Sequence, residues 1–427
     1  MTQPIRIGIV GMGGFAGSHH NTVARLEERG IVRLVCACDP RRAAFGAEQQ
    51  AWRFGPRNVG VFDDYRPMLE ACHGDLDYVV IPTPIQLHAE MHDAITFLGI
   101  PAYVEKPPTL DYVELGRMIA ADSRARRSSL VGFNYIVEKS RLALKERLLS
   151  GEFGAIRGGT LSALWPRPSS YFTRNGWSGR LVIDGQVVLD SCFGNAISHF
   201  VHNMLFWAGA PGLYSWAQVA AVRAELYRAH AIEGADTFFV EADLATGCTL
   251  RFALSHACAG ASTSSETVIC EKAVLRYAVG GQIEIAWKDG RTERTASGPF
   301  DGLEENHIEY CRYLRGEIPR PATTLEDSRP FVVLNDLAHV SSGTIVAIPA
   351  QLVSHERDEK EQKDYVSVSG LAKAVDNFLS RGVWPGEAGW RRDKGDVVTP
   401  SDLGRFHGTV RAMAAANKAA ARAGAAG

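Results

Sequence analysis

The sequence predicts an α/β chain in two parts: an N-terminal doubly wound parallel sheet, then an α+β domain with an open mixed or antiparallel sheet. Three observations carry this. Apolar strand patterns alternate with helical patterns through residue 135, as in a parallel sheet with helices on both faces. A glycine-rich turn joins the first strand to the first helix. Beyond residue 150, strand patterns follow one another with tight turns between them, as antiparallel neighbours do.

Taken in order, Ile5 to Val10 is nearly all apolar, as expected of a strand buried on both faces. A helix over Phe15 to Glu28, a strand over Val32 to Cys38 and a helix over Arg41 to Ala51 follow. Asp77 to Ile81, Ala102 to Glu105 and Ser129 to Phe133 read as short strands, separated by helical stretches at Gln86 to Leu98 and Leu110 to Arg124. In the second part, strands are expected over Ala155 to Trp165, Leu213 to Ala221, Thr237 to Leu244, Thr249 to Leu254, Glu266 to Cys270, Ala273 to Val279 and Gln282 to Trp287. Helical patterns at Asn195 to Phe206, Leu303 to Arg315 and Leu325 to Ser341 are expected on one face of that sheet. The domain bounds are 1–135, 136–350 and a C-terminal extension, 351–427. The extension opens with a charged linker at 356–364, and its Ala/Gly tail from Ala414 to Gly427 reads as a frayed helix.

Composition narrows the function. With 427 residues, 46% hydrophobic and 22% charged, the chain is long enough for more than one full core. A net charge of -2 gives no bulk attraction to nucleic acid or an anionic membrane. No run approaches the roughly 18–20 apolar residues of a membrane helix, and Met1 to Arg6 lacks a leader pattern. The eight cysteines show no paired CxxC spacing, so no metal site is expected and a reducing, cytoplasmic setting fits.

The chemistry clusters at strand ends. Gly11-Met12-Gly13-Gly14-Phe15-Ala16 fits GxGxx(G/A) between a strand and a helix, which suits a dinucleotide pyrophosphate. Gly11, Gly13, Gly14, Phe15 and Ala16 are the candidate cofactor residues there. Asp39, ending the second strand, should accept ribose hydroxyls and favour NAD; Arg41 and Arg42 leave NADP open. Thr83, Pro84 and His88 form a second strand-end loop facing the cofactor, with a plain Pro turn and a surface His88 as the alternative. Glu105-Lys106-Pro107 ends a third strand, where ligands of open α/β sheets gather.

Together these segments resemble the glucose–fructose oxidoreductase / inositol dehydrogenase (Gfo/Idh/MocA) family. The resemblance rests on Gly11-x-Gly13-x-x-Ala16-x-x-His19, Asp39, Thr83-Pro84 with His88, Glu105-Lys106-Pro107, Gly132-Phe133-Asn134-Tyr135 and Pro321 to Arg329. It implies a Rossmann domain, a mixed-sheet domain whose open face makes a homodimer or homotetramer, and oxidation of a sugar, polyol or related secondary alcohol. It places Lys106 beside the nicotinamide, where it would stabilise negative charge on the substrate oxygen. The alternative for Lys106 is a plain ion pair with Glu105 or Asp39. Asn134 is assigned to the cofactor and Tyr135 to the substrate.

The family's Asp-x-x-x-His-x-x-Asp signature aligns with Asn195-x-x-x-His199-x-x-His202, on one face of the expected helix. His199 would be the general base and His202 a substrate contact. Asn195 stands in place of Asp and cannot stabilise imidazolium by charge, so Asp190 is the candidate substitute, with Asp184 a poorer one. Ordinary helix histidines are the alternative. Trp165, Arg167, Tyr171, Arg174 and Trp177 form an aromatic and arginine-rich stretch that suits a sugar or glycoside ring; a packed interdomain loop is the alternative. Three functions follow: an NAD(P)-dependent dehydrogenase of a sugar-like alcohol, a glycoside-cleaving enzyme using transient oxidation by bound NAD, and a catalytically silent NAD-binding sensor.

Overall fold

The computed structural model describes residues 3–425. The chain divides into two units, Met1–Leu142 with Phe300–Arg329, and Ala143–Pro299 with Pro330–Gly427.

The first unit is the doubly wound sheet. Its elements run β1 (Ile5–Val10), α1 (Ala16–Glu28), β2 (Val32–Cys38), α2 (Gly46–Ala51), β3 (Gly60–Phe62), α3 (Tyr65–Cys72), β4 (Tyr78–Ile81), α4 (His88–Phe97), β5 (Ala102–Val104), α5 (Tyr112–Asp122) and β6 (Leu130–Val131). All strand pairs are parallel, in the order β3-β2-β1-β4-β5-β6. Strand β4 and residues Ile7 and Ile9 of β1 have no exposed surface, which is why these strands read as unbroken apolar runs. Side chains of Asp64 and Asp111 cap α3 and α5, satisfying N–H groups that the helix itself leaves open. The strand order turns outward in both directions from β1 and β4, the switch point where such sheets bind ligands.

One expected assignment changes here. The helix Gly302–Leu314, placed by its pattern on the second sheet, groups with the first unit. His307 meets Tyr78 of β4, Tyr310 donates to Ser128 O, and Val131 of β6 donates to Thr323 O. An amphipathic pattern shows that a helix needs an apolar partner, not which one.

The second unit holds a nine-stranded sheet. From one edge its order is Thr292–Ala296, Gln282–Trp287, Ala273–Tyr277, Thr263–Cys270, Ile156–Leu164, Thr249–Ser255, Thr237–Leu244, Val219–Arg228 and Ile345–Ala347. Two neighbour pairs are parallel and the rest antiparallel, so the sheet is mixed. One face carries the helices Ser198–Ala208 and Arg329–Ser342. Asn203 and Trp207 of the former donate to the buried Glu266, and His339 of the latter packs on Phe238.

The neighbouring Phe239 points to the opposite face, as strand alternation requires, and there the C-terminal segment covers it. Phe378, Trp384 and Trp390 join Tyr227, Phe239 and Ala253 in one buried cluster. Phe378, Trp384 and Trp390 of the C-terminal segment are therefore buried in the second unit. The expected charged linker is a hairpin, Val353–Asp358 with Lys363–Val368. Its charges face each other across the strands, Arg357 with Asp364 at 2.9 Å, so a polar sequence still forms a ladder. The tail is helical over Phe406–Ala425; Ala426 and Gly427 lie outside the described residues.

Candidate active site

The glycine loop begins where β1 ends. Gly11 has φ +104°, a conformation that favours glycine, and its N–H donates to Cys38 O at 2.6 Å. His20 of α1 reaches back to Gly11 O at 3.0 Å and stacks on Trp52 at 4.2 Å. Helix α1 follows without a side-chain cap at Phe15 and without an acid in its first turn. That leaves the positive end of its dipole for an external anion. Ala16 is buried against the strand, Gly14 borders open space, and Phe15 is half exposed.

Asp39 is buried, with Oδ2 accepting from Met12 N at 2.9 Å and Oδ1 from Arg41 N at 2.8 Å. These amides fix its carboxylate at the end of β2, and each oxygen keeps lone-pair capacity for a ribose hydroxyl. The Arg41 guanidinium lies beside Gly13 and over Phe45. An uncapped helix start, an acid-free first turn and an oriented carboxylate at the second strand end fit a bound nicotinamide dinucleotide.

Lys106 stands just beyond β5. Its backbone N–H donates to Glu105 Oε2 at 3.1 Å, and the other carboxylate oxygen meets His19 Nε2 at 3.1 Å. His19 Nδ1 lies 3.0 Å from His307 Nε2, and His307 Nδ1 lies 2.8 Å from the Tyr78 hydroxyl. The carboxylate can only accept, so with neutral rings the line has one polarity: Tyr78 donates to His307, His307 to His19, and His19 to Glu105. Burial holds the His307 ring well below its usual pKa and the Tyr78 phenol well above its own, which keeps that polarity. Glu105 approaches the backbone so closely that a Cβ on Gly132 would stand 2.7 Å from its Oε1. This is a physical reason for glycine in Gly132-Phe133-Asn134-Tyr135.

The loop after β4 is held to the lysine loop. His88, expected as a cofactor contact with a surface residue as the alternative, is not at the surface. It is 1% exposed, with Nε2 at 2.8 Å from Thr83 O and Nδ1 at 3.1 Å from Pro107 O. It lies between the two strand-end loops, where its one N–H can donate to either carbonyl, and burial lowers its pKa. Thr83 and Pro84 remain partly exposed on the loop, as do Asn134 and Tyr135 after β6.

In the second unit the expected helix does not start at Asn195. Residues Cys192–Ala196 form a π turn, with Ile197 N donating to Cys192 O, and the α-helix begins at Ser198. The helical repeat is thus interrupted between Asn195 and His199; such turns are frequent at functional sites. Asn195 Nδ2 donates to Asp190 Oδ1 at 2.7 Å, while Asp190 Oδ2 accepts from Gly179 N at 2.7 Å. His199 is partly exposed. His202, expected to touch substrate, is fully buried and accepts from Trp216 Nε1 at 3.3 Å, so it is a core residue.

The aromatic stretch folds as a loop around the short helix Ser169–Thr173. Arg174 Cζ lies 3.5 Å and Arg167 Cζ 4.9 Å from the Tyr171 ring centre. Trp165 stands edge-on to Phe200, the neighbour of His199, at 5.5 Å, and Trp177 borders Arg174 at 5.6 Å. The sequence reading missed Tyr78, His307 and His20; His307 and Tyr310, three residues apart on one helical face, were the available sign of a polar face turned inward.

Residues 5–133 match the family described as "Oxidoreductase family, NAD-binding Rossmann fold" (GFO_IDH_MocA). The match covers the first domain, with its glycine turn, Asp39 and Glu105-Lys106-Pro107. Inositol 2-dehydrogenase from Rhizobium meliloti (strain 1021) is 26% identical over 174 residues, 40% of this chain and 49% of that protein. A glycosyl hydrolase family 109 protein from Streptomyces coelicolor (strain ATCC BAA-471 / A3(2) / M145) is 28% identical over 158 residues, 36% of this chain and 33% of that protein. The chain thus matches half or less of these curated relatives' length. The WlbA dehydrogenase from Bordetella pertussis, solved with NADH and UDP-GlcNAcA, shares the fold with TM-score 0.65 and 24% identity, over 80% of this chain and 96% of that one. No helix among the described residues is long and apolar enough to cross a membrane.

Proposed function

We propose that this chain is an NAD-dependent oxidoreductase that removes hydride from a secondary alcohol of a sugar-like ring. The observation that carries the reading is the Glu105–Lys106 strand end. A buried hydrogen-bonded line orients Glu105, Glu105 holds the Lys106 amide, and both stand one strand from the switch point that bears the glycine loop. NAD, when bound, supplies the nicotinamide ring that accepts hydride. Asp39 supports NAD over NADP, because its carboxylate would repel a 2′-phosphate. Lys106 holds the substrate oxygen and stabilises the charge that develops on it. His199 takes the hydroxyl proton. Asp190 orients the Asn195 amide, and the pair stands in for the carboxylate of the family signature. Inositol for the Rhizobium meliloti enzyme, and UDP-GlcNAcA in the Bordetella pertussis complex, carry hydroxyl-bearing rings, which supports a sugar-like substrate here.

Relatives named glycosyl hydrolase family 109 protein favour a second reading: transient oxidation by tightly held NAD, followed by loss of an aglycone and return of the hydride. One experiment separates the two. A panel of polyols, sugars and aryl glycosides is followed for NADH and for released aglycone. NADH in proportion to product supports the dehydrogenase; aglycone without net NADH supports the second reading. Lys106→Ala should lower turnover by about 10²–10³-fold while leaving NAD affinity in place. Full activity in that variant removes Lys106 from the mechanism.

A further inference from the structure

We infer that Arg167 and Arg174, set against the ring of Tyr171, form an anion-binding site for a substrate that carries a carboxylate or phosphate on its sugar-like ring. The inference deepens the reading above and rests on it for the nature of the ring.

Arg167 and Arg174 are two cations of the second unit set over the same ring, that of Tyr171. Arg180, close by in sequence, is neutralised by Glu233 at 2.7 Å. Among the described residues, neither Arg167 nor Arg174 has a carboxylate within ion-pair distance. Asp190 is the carboxylate that acts on Tyr171, and its oxygens already accept from Gly179 N and Asn195 Nδ2. Two like charges therefore share one aromatic ring with no carboxylate of their own.

Arg167 adds a second, independent sign. Its Nε is buried and has no hydrogen-bond partner among the described residues. A buried donor left unmade costs about 1–3 kcal/mol, and such groups in native proteins ordinarily have a partner. A guanidinium is planar by delocalisation, and with one face on an aromatic ring its edge can still take carboxylate or phosphate in two parallel hydrogen bonds.

The backbone is prepared for this task. Arg167 N donates to His256 O at 3.3 Å, and Arg167 O lies 3.3 Å from His230 Nε2. His230 is itself held by Asp236, 2.8 Å from its Nδ1. Pro168 forms a β-bridge with Tyr365 of the C-terminal hairpin. Arg174 Nη1 donates to Tyr171 O at 2.7 Å. The loop that presents both cations is thus tied to the sheet and to the C-terminal segment. Trp165, beside Phe200, places it next to the start of the helix that bears His199.

The test is a calorimetric titration of the full chain, saturated with NAD, using D-glucuronate, D-glucose 6-phosphate and D-glucose as probes. At least one anionic probe should bind about tenfold or more tightly than D-glucose, as expected for hydrogen bonds to a charged group. Preference for glucuronate identifies carboxylate, and preference for the phosphate ester identifies phosphate. Arg167→Gln and Arg174→Gln should each erode that preference, and the double variant should abolish it, with NAD affinity unchanged as the control for folding. The inference is overturned if neither anion outbinds D-glucose, or if the double variant keeps the preference. Arginine-dependent anion binding without NADH formation from any probe or from the polyol and sugar panel would sink the oxidoreductase reading alone.

Discussion

Around Glu105, the first unit positions its side chains by regular structure. Parallel strands end side by side, loops start where strands stop, and one directed hydrogen-bond line runs from Tyr78 to Glu105. Around Asn195, the second unit works differently. A π turn, a loop and a helix start carry the candidate groups, and buried acids hold side chains there: Asp190 for Asn195 and Asp236 for His230. The comparison teaches that sheet topology delivers a strand-end residue to its place, whereas irregular backbone needs a specific partner for each residue it presents. The second unit should therefore be the more sensitive to single polar substitutions, and its core the more dependent on distant chain.

The strongest way to probe that dependence is Phe378→Ala. Phe378 is fully buried, 5.4 Å from Phe239 and 4.7 Å from Trp384. Its truncation should cost about 3–5 kcal/mol in urea unfolding. An unchanged midpoint would mean that Phe378 does not stabilise the second unit's core.

Restoring the family residue by Asn195→Asp should harm rather than help. It replaces the 2.7 Å hydrogen bond to Asp190 with two facing carboxylates. A loss of about 1.5–3 kcal/mol is expected at neutral pH. The loss should shrink at pH 5 as one carboxyl takes a proton. Equal stability at both pH values would show that Asn195 and Asp190 are not coupled.

Acid should weaken both units through buried neutral imidazoles. Burial lowers His20 to about 4, His339 to about 4 and His256 to about 3, from an ordinary 6.5. Below 6.5 the unfolded chain binds protons that these folded rings refuse, so stability is present above that value and falls as pH drops toward 4. For His20 alone the loss is roughly 2 kcal/mol by pH 5, readable as a lower denaturant midpoint. His20→Phe should flatten part of that slope.

The smallest effect concerns the hydrogen-bond line. His307→Gln keeps a donor for His19 but loses the acceptor for Tyr78, at about 1 kcal/mol. It should also change the pH profile of turnover, which a purely structural role would leave in place. A profile identical to that of the parent chain would separate the line from Lys106.

The glycine turn, β1, β2 and the strand-end positions of Asp39 and Lys106 were legible because each depends on neighbours in sequence: apolar runs, a turn that needs positive φ, a helix start. The π turn at Cys192–Ala196 was not, since the i, i+4 spacing of Asn195 and His199 reads the same whether or not the helix is interrupted between them. Nor was the burial of His202 and His88, because a polar residue on a helix reads as exposed until a partner such as Trp216 or Thr83 O closes over it. The hairpin at 353–368 read as a linker because its charges cancel only across strands.

By itself, then, the sequence determined the parallel-sheet domain, its dinucleotide fingerprint and the lysine at the end of β5, all of which are set by local periodicity and turn chemistry. Tertiary structure alone decided that the helix Gly302–Leu314 returns to the first unit, that the C-terminal segment covers Phe239, and that Arg167 and Arg174 meet over one ring. Each of these depends on which apolar face or charge finds which distant partner, and single-chain periodicity records the need for a partner but not its identity.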